Sequence, residues 1–280
     1  MIRFFAILVG LGFVLVSAIS FITGFGVWLG SEKQETAELK YHEHAHNHHF
    51  SFEGPFGHFD RQQLQRGFQV YKAVCASCHS LNYVAFRNLE EIGYSEAEVK
   101  AIANQWQIEV PSINPESGEA ATRKALPSDQ FPSPYPNDVR ARAANNNAVP
   151  PDLSLIVKAR EGGADYVYSL LTGYRQPPAD VEVPQGLHYN PFFHSIKIAM
   201  PQPLSTTGQV PYADGTEATV EQMSEDVTAF LAWAAEPNLE KRLQLGWAVL
   251  IFLLAATALA YFAYRNVWAD RKVKKKRAST

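Results

Sequence analysis

Two thiols and an imidazole stand within five residues of one another, in Cys75-Ala76-Ser77-Cys78-His79. Cysteines one helical turn apart can each add to a vinyl group on the edge of a haem, and the imidazole that follows then reaches the iron. These are the only two cysteines of the 280-residue chain, so no other thiol competes for them. Three other chemistries use the same residue types. A thioredoxin-like redox pair needs a βαβ setting, and no alternating strand pattern of useful length occurs. A zinc site needs four ligands, whereas the other histidines fall in linker or loop sequence. A plain disulfide suits an oxidising compartment but leaves His79 without a role. The spacing therefore predicts one covalent haem c, attached through Cys75 and Cys78 and ligated by His79.

A six-coordinate iron needs a second axial ligand. A methionine opposite a histidine raises the reduction potential and suits electron transfer. The chain has three methionines. Met1 is the start, and Met223 lies on the apolar stripe of a predicted helix, where core packing explains it. Met200 sits in a loop, Ile198-Ala199-Met200-Pro201-Gln202-Pro203, whose backbone Pro201 restricts. Met200 is the expected sixth ligand, with His188 and His194 as the alternatives.

These residues must be held by helices and loops. Leu64, Phe68, Tyr71, Val74, Cys75 and Cys78 recur at helical spacing, which predicts a helix from Asp60, its N-cap, to Cys78. Ser95 and Glu98 form a capping box for a second helix. Asp152 reads as the cap of a helix reaching about Arg160, and Asp165 as the cap of another that Gly173 ends. Thr219 and Gln222 read as a further capping box, opening a helix whose apolar face runs through Val220, Met223, Val227, Phe230 and Leu231. Residues 109–151 and 174–217 are rich in proline and polar residues and read as long structured loops. The expected fold class is mostly α, a haem domain with long loops.

Hydrophobic residues make up 46% of the chain and charged residues 19%, which excludes a disordered chain. Two segments are more apolar than a soluble protein requires. Residues 4–30 carry no charge after Arg3. They read as an N-terminal membrane anchor or as a signal cleaved near Val16-Ser17-Ala18. Residues 245–264 are uncharged and flanked by Trp247, Tyr261, Tyr264 and Trp268, as at a membrane–water boundary. Seven basic residues follow, from Arg265 to Arg277, and they place the C-terminus on the cytoplasmic side. The remainder, residues 31–244, carries a net charge of −10. That excludes nucleic acid as a partner and favours a basic one. The expected divisions are a signal or anchor over 1–30, a His-rich linker over 31–50, the haem domain over 51–243, a transmembrane helix over 244–265 and a basic tail over 266–280. Five of the nine histidines fall in the linker: His42, His44, His46, His48 and His49. The tract reads as a solvated linker, with metal capture as its other reading.

The sequence resembles the cytochrome c1 family. The resemblance is carried by Arg66-Gly67-Phe68-Gln69-Val70-Tyr71 before the haem motif, Ala141-Arg142-Ala143-Ala144-Asn145-Asn146, Pro150-Pro151-Asp152-Leu153-Ser154, Leu171-Thr172-Gly173-Tyr174, Met200-Pro201 and Phe230-Leu231-Ala232-Trp233-Ala234-Ala235-Glu236-Pro237. It covers roughly residues 50–275. It implies a cytochrome c-like fold and the haem c subunit of ubiquinol–cytochrome c oxidoreductase (complex III). The chain itself would be an electron carrier. The Rieske iron–sulfur protein would supply electrons, a cytochrome c would accept them, and cytochrome b would be the membrane neighbour in a homodimeric complex. Met200 matches the family's axial ligand, and Arg142 matches an arginine that pairs with a haem propionate. Pro150 or Pro151, with Pro151 preferred, would offer a carbonyl to the His79 ring. The implied location is a bacterial inner membrane, in contact with lipid, with the haem domain in the periplasm. The other functional reading is a stand-alone membrane-anchored c-type cytochrome. The long N-terminal apolar segment and the histidine tract depart from the family pattern.

Overall fold

The computed structural model describes residues 2–30 and 36–277, leaving aside the side chains of 270–277. Residues 31–35 of the expected linker and 278–280 of the basic tail lie outside the described residues, as do the basic side chains from Arg271 onward. The chain divides into two compact units, with the boundary between Tyr41 and His42. The first holds α1 (Ile2–Gly30) and the short α2 (Ala37–Tyr41). At 1.5 Å per residue, the 29 residues of α1 exceed the roughly 30 Å of a bilayer's hydrocarbon core.

The second unit is built on α3 (Arg61–Ala73). Asp60 starts this helix as expected, its carboxylate accepting the Gln62 N–H at 2.9 Å. The helix stops five residues earlier than the periodicity predicts, and the haem motif continues as a 3-10 turn over Cys75–Ser77. A second 3-10 segment, Phe86–Ile92, ends at Gly93. There φ of 103° suits glycine and turns the chain toward α4 (Glu96–Gln105). Ser95 and Glu98 cap α4 reciprocally, as their spacing predicts.

Small elements interrupt the proline-rich segments. β1 (Val110–Ile113) pairs antiparallel with β2 (Ala120–Arg123), with Val110 opposite Arg123. After α5 (Asp138–Ala144), α6 (Ile156–Ala159) and α7 (Gly163–Thr172), β3 (His188–Tyr189) pairs with β4 (Lys197–Ile198). Strands of two to four residues are too short to show an alternating pattern. Two expected caps are also replaced. Leu155 precedes α6 and Gly162 precedes α7, while Asp152 and Asp165 bond elsewhere.

The core lies where α3 crosses α8 (Val220–Ala235). Gly67 makes the crossing close, because a Cβ there would sit 2.0 Å from the Asp226 carbonyl oxygen. Phe68, Tyr71, Phe131, Phe230 and Trp233 fill the space around it, each almost fully buried. Met223 is in this core too, as its place on the apolar stripe predicts. Arg66 reaches over the crossing, with Nε 2.9 Å from Asp226 and Nη1 2.8 Å from Asp214. Thr219 caps α8, but Gln222 does not close the expected box. Its amide donates instead to the buried Asp226 at 2.9 Å.

The histidine tract is not free of this domain. Glu43 N–H donates to the Pro191 carbonyl at 2.9 Å, His46 N–H to Ser169 Oγ at 2.9 Å and His48 N–H to Asp165 at 3.0 Å. The His48 ring stacks on Tyr168 with centroids 4.2 Å apart. Residues 42–50 thus form a strap across α7, ending in the buried Phe50. Among the described residues, no group of three or more His, Cys, Asp or Glu side chains is arranged to hold a metal ion.

The link at Glu236, Pro237 and Asn238 joins α8 to α9 (Leu239–Arg277). Glu236 pairs with Lys158 at 3.2 Å and with Arg242 at 2.7 Å. The stretch Leu239–Ala269 of α9 is long and apolar enough to cross a membrane.

Candidate haem site

The haem motif follows α3 directly. Its turn is closed by the Cys78 and His79 N–H groups, which donate to the Cys75 carbonyl at 3.1 and 2.9 Å. The buried Tyr71 hydroxyl, from the last turn of α3, donates to the His79 carbonyl at 3.3 Å. Both thiols are free and half-buried. Burial, and then the neighbouring Cys78, push the Cys75 thiol up to about 12. This is the opposite of the low-pKa thiolate that a redox-active pair needs.

His79 Nδ1 lies 2.8 Å from the Pro151 carbonyl oxygen. A carbonyl only accepts, so Nδ1 carries the hydrogen and Nε2 keeps its lone pair. Burial lowers the His79 pKa below its ordinary value, while the Pro151 carbonyl and Asp152 pull the other way. The imidazole is therefore neutral at pH 7, as a metal ligand must be. A neutral imidazole with a free Nε2, one and four residues from two free thiols, is a donor set that fits a covalently attached haem.

Asp152 holds this arrangement together. Its Oδ2 accepts Ser80 Oγ at 2.7 Å and Asn82 N–H at 2.8 Å, and its Oδ1 accepts Ser154 N–H at 2.9 Å. Leu153 N–H donates to the Ser80 carbonyl at 2.9 Å. The segment leaving the motif is thus clipped to the loop that carries Pro151. Burial opposes ionisation of Asp152, but the donors from Ser154, Asn82 and Ser80 outweigh it and hold its pKa below the ordinary carboxylate value. Tyr135 also belongs here, with its hydroxyl beside Asn145 and the Cys78 thiol.

The other expected residues lie on separate elements: Arg142 on α5, Met200 in the loop after β4, His188 in β3 and His194 between β3 and β4. Arg142 is exposed, and its Nη1 donates to the Asn147 carbonyl at 3.0 Å. Asn146 and Asn147 adopt left-handed backbone, with φ of 48° and 64°, and turn the chain toward Pro151. Met200 is half-buried, and its carbonyl accepts the Tyr174 hydroxyl at 3.0 Å, which ties its loop to the end of α7. No hydrogen bond among the described residues joins Arg142 or Met200 to His79. His188 is exposed in β3, and His194 packs edge-on to His42 at 6.1 Å. A cavity of about 460 Å³, lined by Tyr174, Arg175, His188, Tyr189 and Gln202, adjoins the Met200 loop.

A helical domain with a haem-attachment motif, continued into a long apolar helix, has the build of a membrane-anchored cytochrome. The model of the cytochrome c1 family matches residues 50–271, and the chain belongs to that family. It is 45% identical over 276 residues to the cytochrome b/c1 of Bradyrhizobium diazoefficiens, covering 90% of this chain but only 39% of that longer protein. It is 48% identical over 222 residues to the mitochondrial heme protein cytochrome c1-2 of Solanum tuberosum, covering 79% of this chain and 84% of the relative. With the mitochondrial cytochrome c1 of Saccharomyces cerevisiae it shares 46% over 233 residues, covering 83% and 74%. The chain is thus a haem-containing electron-transfer subunit of complex III.

Proposed function

We propose that the chain holds one haem c covalently through Cys75 and Cys78, with His79 and Met200 as axial ligands. It would take electrons from the Rieske iron–sulfur protein and pass them to a cytochrome c. The observation that carries this reading is the 2.8 Å contact between His79 Nδ1 and the Pro151 carbonyl, which leaves Nε2 as the ligating nitrogen. When bound, the haem supplies a one-electron ferric/ferrous couple.

The chain's own residues do the rest. The Pro151 carbonyl fixes the plane of the imidazole and raises its basicity as a ligand. Asp152 holds Pro151 in place. The loop tied down by Tyr174 offers the Met200 thioether, which raises the potential. His79 and Met200 together would keep small molecules from the iron. Arg142 would neutralise a propionate. The net charge of −10 on residues 31–244 favours a basic acceptor.

The basic residues after the apolar run, beginning with Arg265, support a cytoplasmic C-terminus. The haem domain would then lie in the periplasm of a bacterial inner membrane. Cytochrome b would be the neighbour of α9 in a homodimeric complex.

The test is the optical spectrum of the dithionite-reduced protein purified from membranes, with and without Met200→Leu. The wild type should show a sharp reduced c-type band that survives acid–acetone extraction. The variant should lose potential and gain carbon monoxide binding. Absence of a haem band, in protein made with a working cytochrome maturation system, would overturn the proposal. Co-purification with cytochrome b and a Rieske protein tests the assembly.

A further inference from the structure

The turn at Pro55, Phe56 and Phe59 lies against the start of α9 and encloses with it a cavity of about 450 Å³. Glu240, Leu243, Gln244 and Trp247 line it from the helix side. Their spacing puts them on one face. The turn is bonded along that face. Glu240 accepts Phe59 N–H at 2.7 Å and the Arg61 guanidinium at 2.8 Å, and Trp247 Nε1 donates to the Pro55 carbonyl at 3.2 Å. At the end of the contact the Phe56 ring stacks on Trp247, with centroids 5.3 Å apart and planes within 11°.

Phe56 is out of place for a water-facing turn. It is 78% exposed, and among the described residues outside α1 and α9 it is the only exposed phenylalanine. Its position along α9 explains this. From Glu240 to Trp247 the helix rises about 10 Å. Gln244 is the last polar residue before the uncharged run that begins at Leu245. Trp247 therefore sits at the boundary of the apolar span, and Phe56, stacked on it, sits at the same depth. Aromatic rings favour that layer, whose thickness is about 5–7 Å on each side of the hydrocarbon.

We propose that Phe56 and Trp247 form a second membrane contact, carried by the extramembrane domain itself. The pair lies in the interfacial layer, and the cavity beside it takes the glycerol and upper acyl segment of one phospholipid. The occupant follows from continuity with the apolar face of α9 below. Because Arg61 is already paired with Glu240, the contact is apolar and does not select for an anionic headgroup. The inference rests on α9 spanning the bilayer.

The experiment uses the full-length holoprotein in phosphatidylcholine nanodiscs, with a nitroxide on Phe56→Cys and, separately, on Leu253→Cys. With the haem attached, the introduced cysteine is the only free thiol. Position 56 is exposed, so the substitution leaves the fold intact, which the haem spectrum verifies. Power saturation then compares contact with oxygen, which enters lipid, and with a water-soluble nickel chelate. The expected result at 56 is high oxygen and low nickel contact, unchanged when anionic lipid is added. High nickel contact at 56 would place the turn in water, and low contact with both reagents would place it under another protein. Either result overturns the inference. If Leu253→Cys also fails to show lipid contact, the failure belongs to the spanning reading of α9 rather than to the turn.

Discussion

Asp152 accepts three hydrogen bonds, two of them from Ser80 and Asn82 about seventy positions earlier in the sequence, yet it makes none to His79. Asp152→Ala leaves Ser80, Asn82 N–H and Ser154 N–H to find water. Bonds to a charged acceptor contribute about 1.5–3 kcal/mol each when buried and less when half-solvated, so the loss should total about 3 kcal/mol. Denaturant unfolding followed at the haem band would measure it, and Asp152→Asn, which keeps the shape, should lose less. The sequence exposes Cys75, Cys78 and His79 because the proposed attachment to one rigid macrocycle would dictate such a spacing. It misdirects at Asp152. An aspartate just ahead of helix-forming residues is the usual capping signal, and nothing local reveals that its partners lie near residue 80. Pro151 was reachable only through resemblance to a family, since its contribution is a backbone carbonyl.

The crossing of α3 and α8 depends on Gly67, where a methyl group would meet a backbone oxygen at 2.0 Å. Neither backbone can yield without separating the helices. Gly67→Ala should therefore destabilise by about 2 kcal/mol, and the melting temperature should fall by about 4–8 °C. Beside it, the buried Asp226 faces Arg66. Removing the carboxylate alone, as in Asp226→Ala, should cost about 3–5 kcal/mol, and replacing both partners with apolar residues should cost less. A different dependence holds at the β1–β2 hairpin, where Asp129 accepts Arg123 at 2.5 and 2.8 Å. Arg123, and then the Leu126 N–H, hold the Asp129 carboxyl below its ordinary value despite partial burial. The folded state thus binds fewer protons there than the unfolded chain. The contribution is present above about pH 4 and is lost as pH falls through the lower folded value. Asp129→Asn should cost about 0.5–1 kcal/mol at pH 7, with the difference shrinking toward pH 3 in urea titrations. The long helices were legible because their caps and apolar stripes are local. The hairpins were not, since β3 and β4 have two residues each. Nor was the strap over α7, which is held by backbone donors that any residue could supply.

For the whole molecule, charge and anchoring set the terms of encounter. A net of −10 on residues 31–244 should make transfer to a basic acceptor salt-sensitive. The second-order rate, measured by stopped flow, should fall several-fold between 0.01 and 0.15 M ionic strength as the Debye length shrinks from about 30 to 8 Å. Composition revealed both the charge and the apolar helices, but it could not show how firmly α9 is joined to the domain. The link between α8 and α9 is short, and Glu236, Glu240 and Trp247 bond across it to Lys158, Arg61 and Pro55. With α9 spanning a bilayer, a domain clasped this way would not swing or tumble on its stalk. Its electron-carrying edge would be kept at a constant height above the lipid, so a partner diffusing in the same membrane would already have the correct altitude. Their search for each other would then take place in a plane, where only lateral distance and rotation about the membrane normal remain to be found.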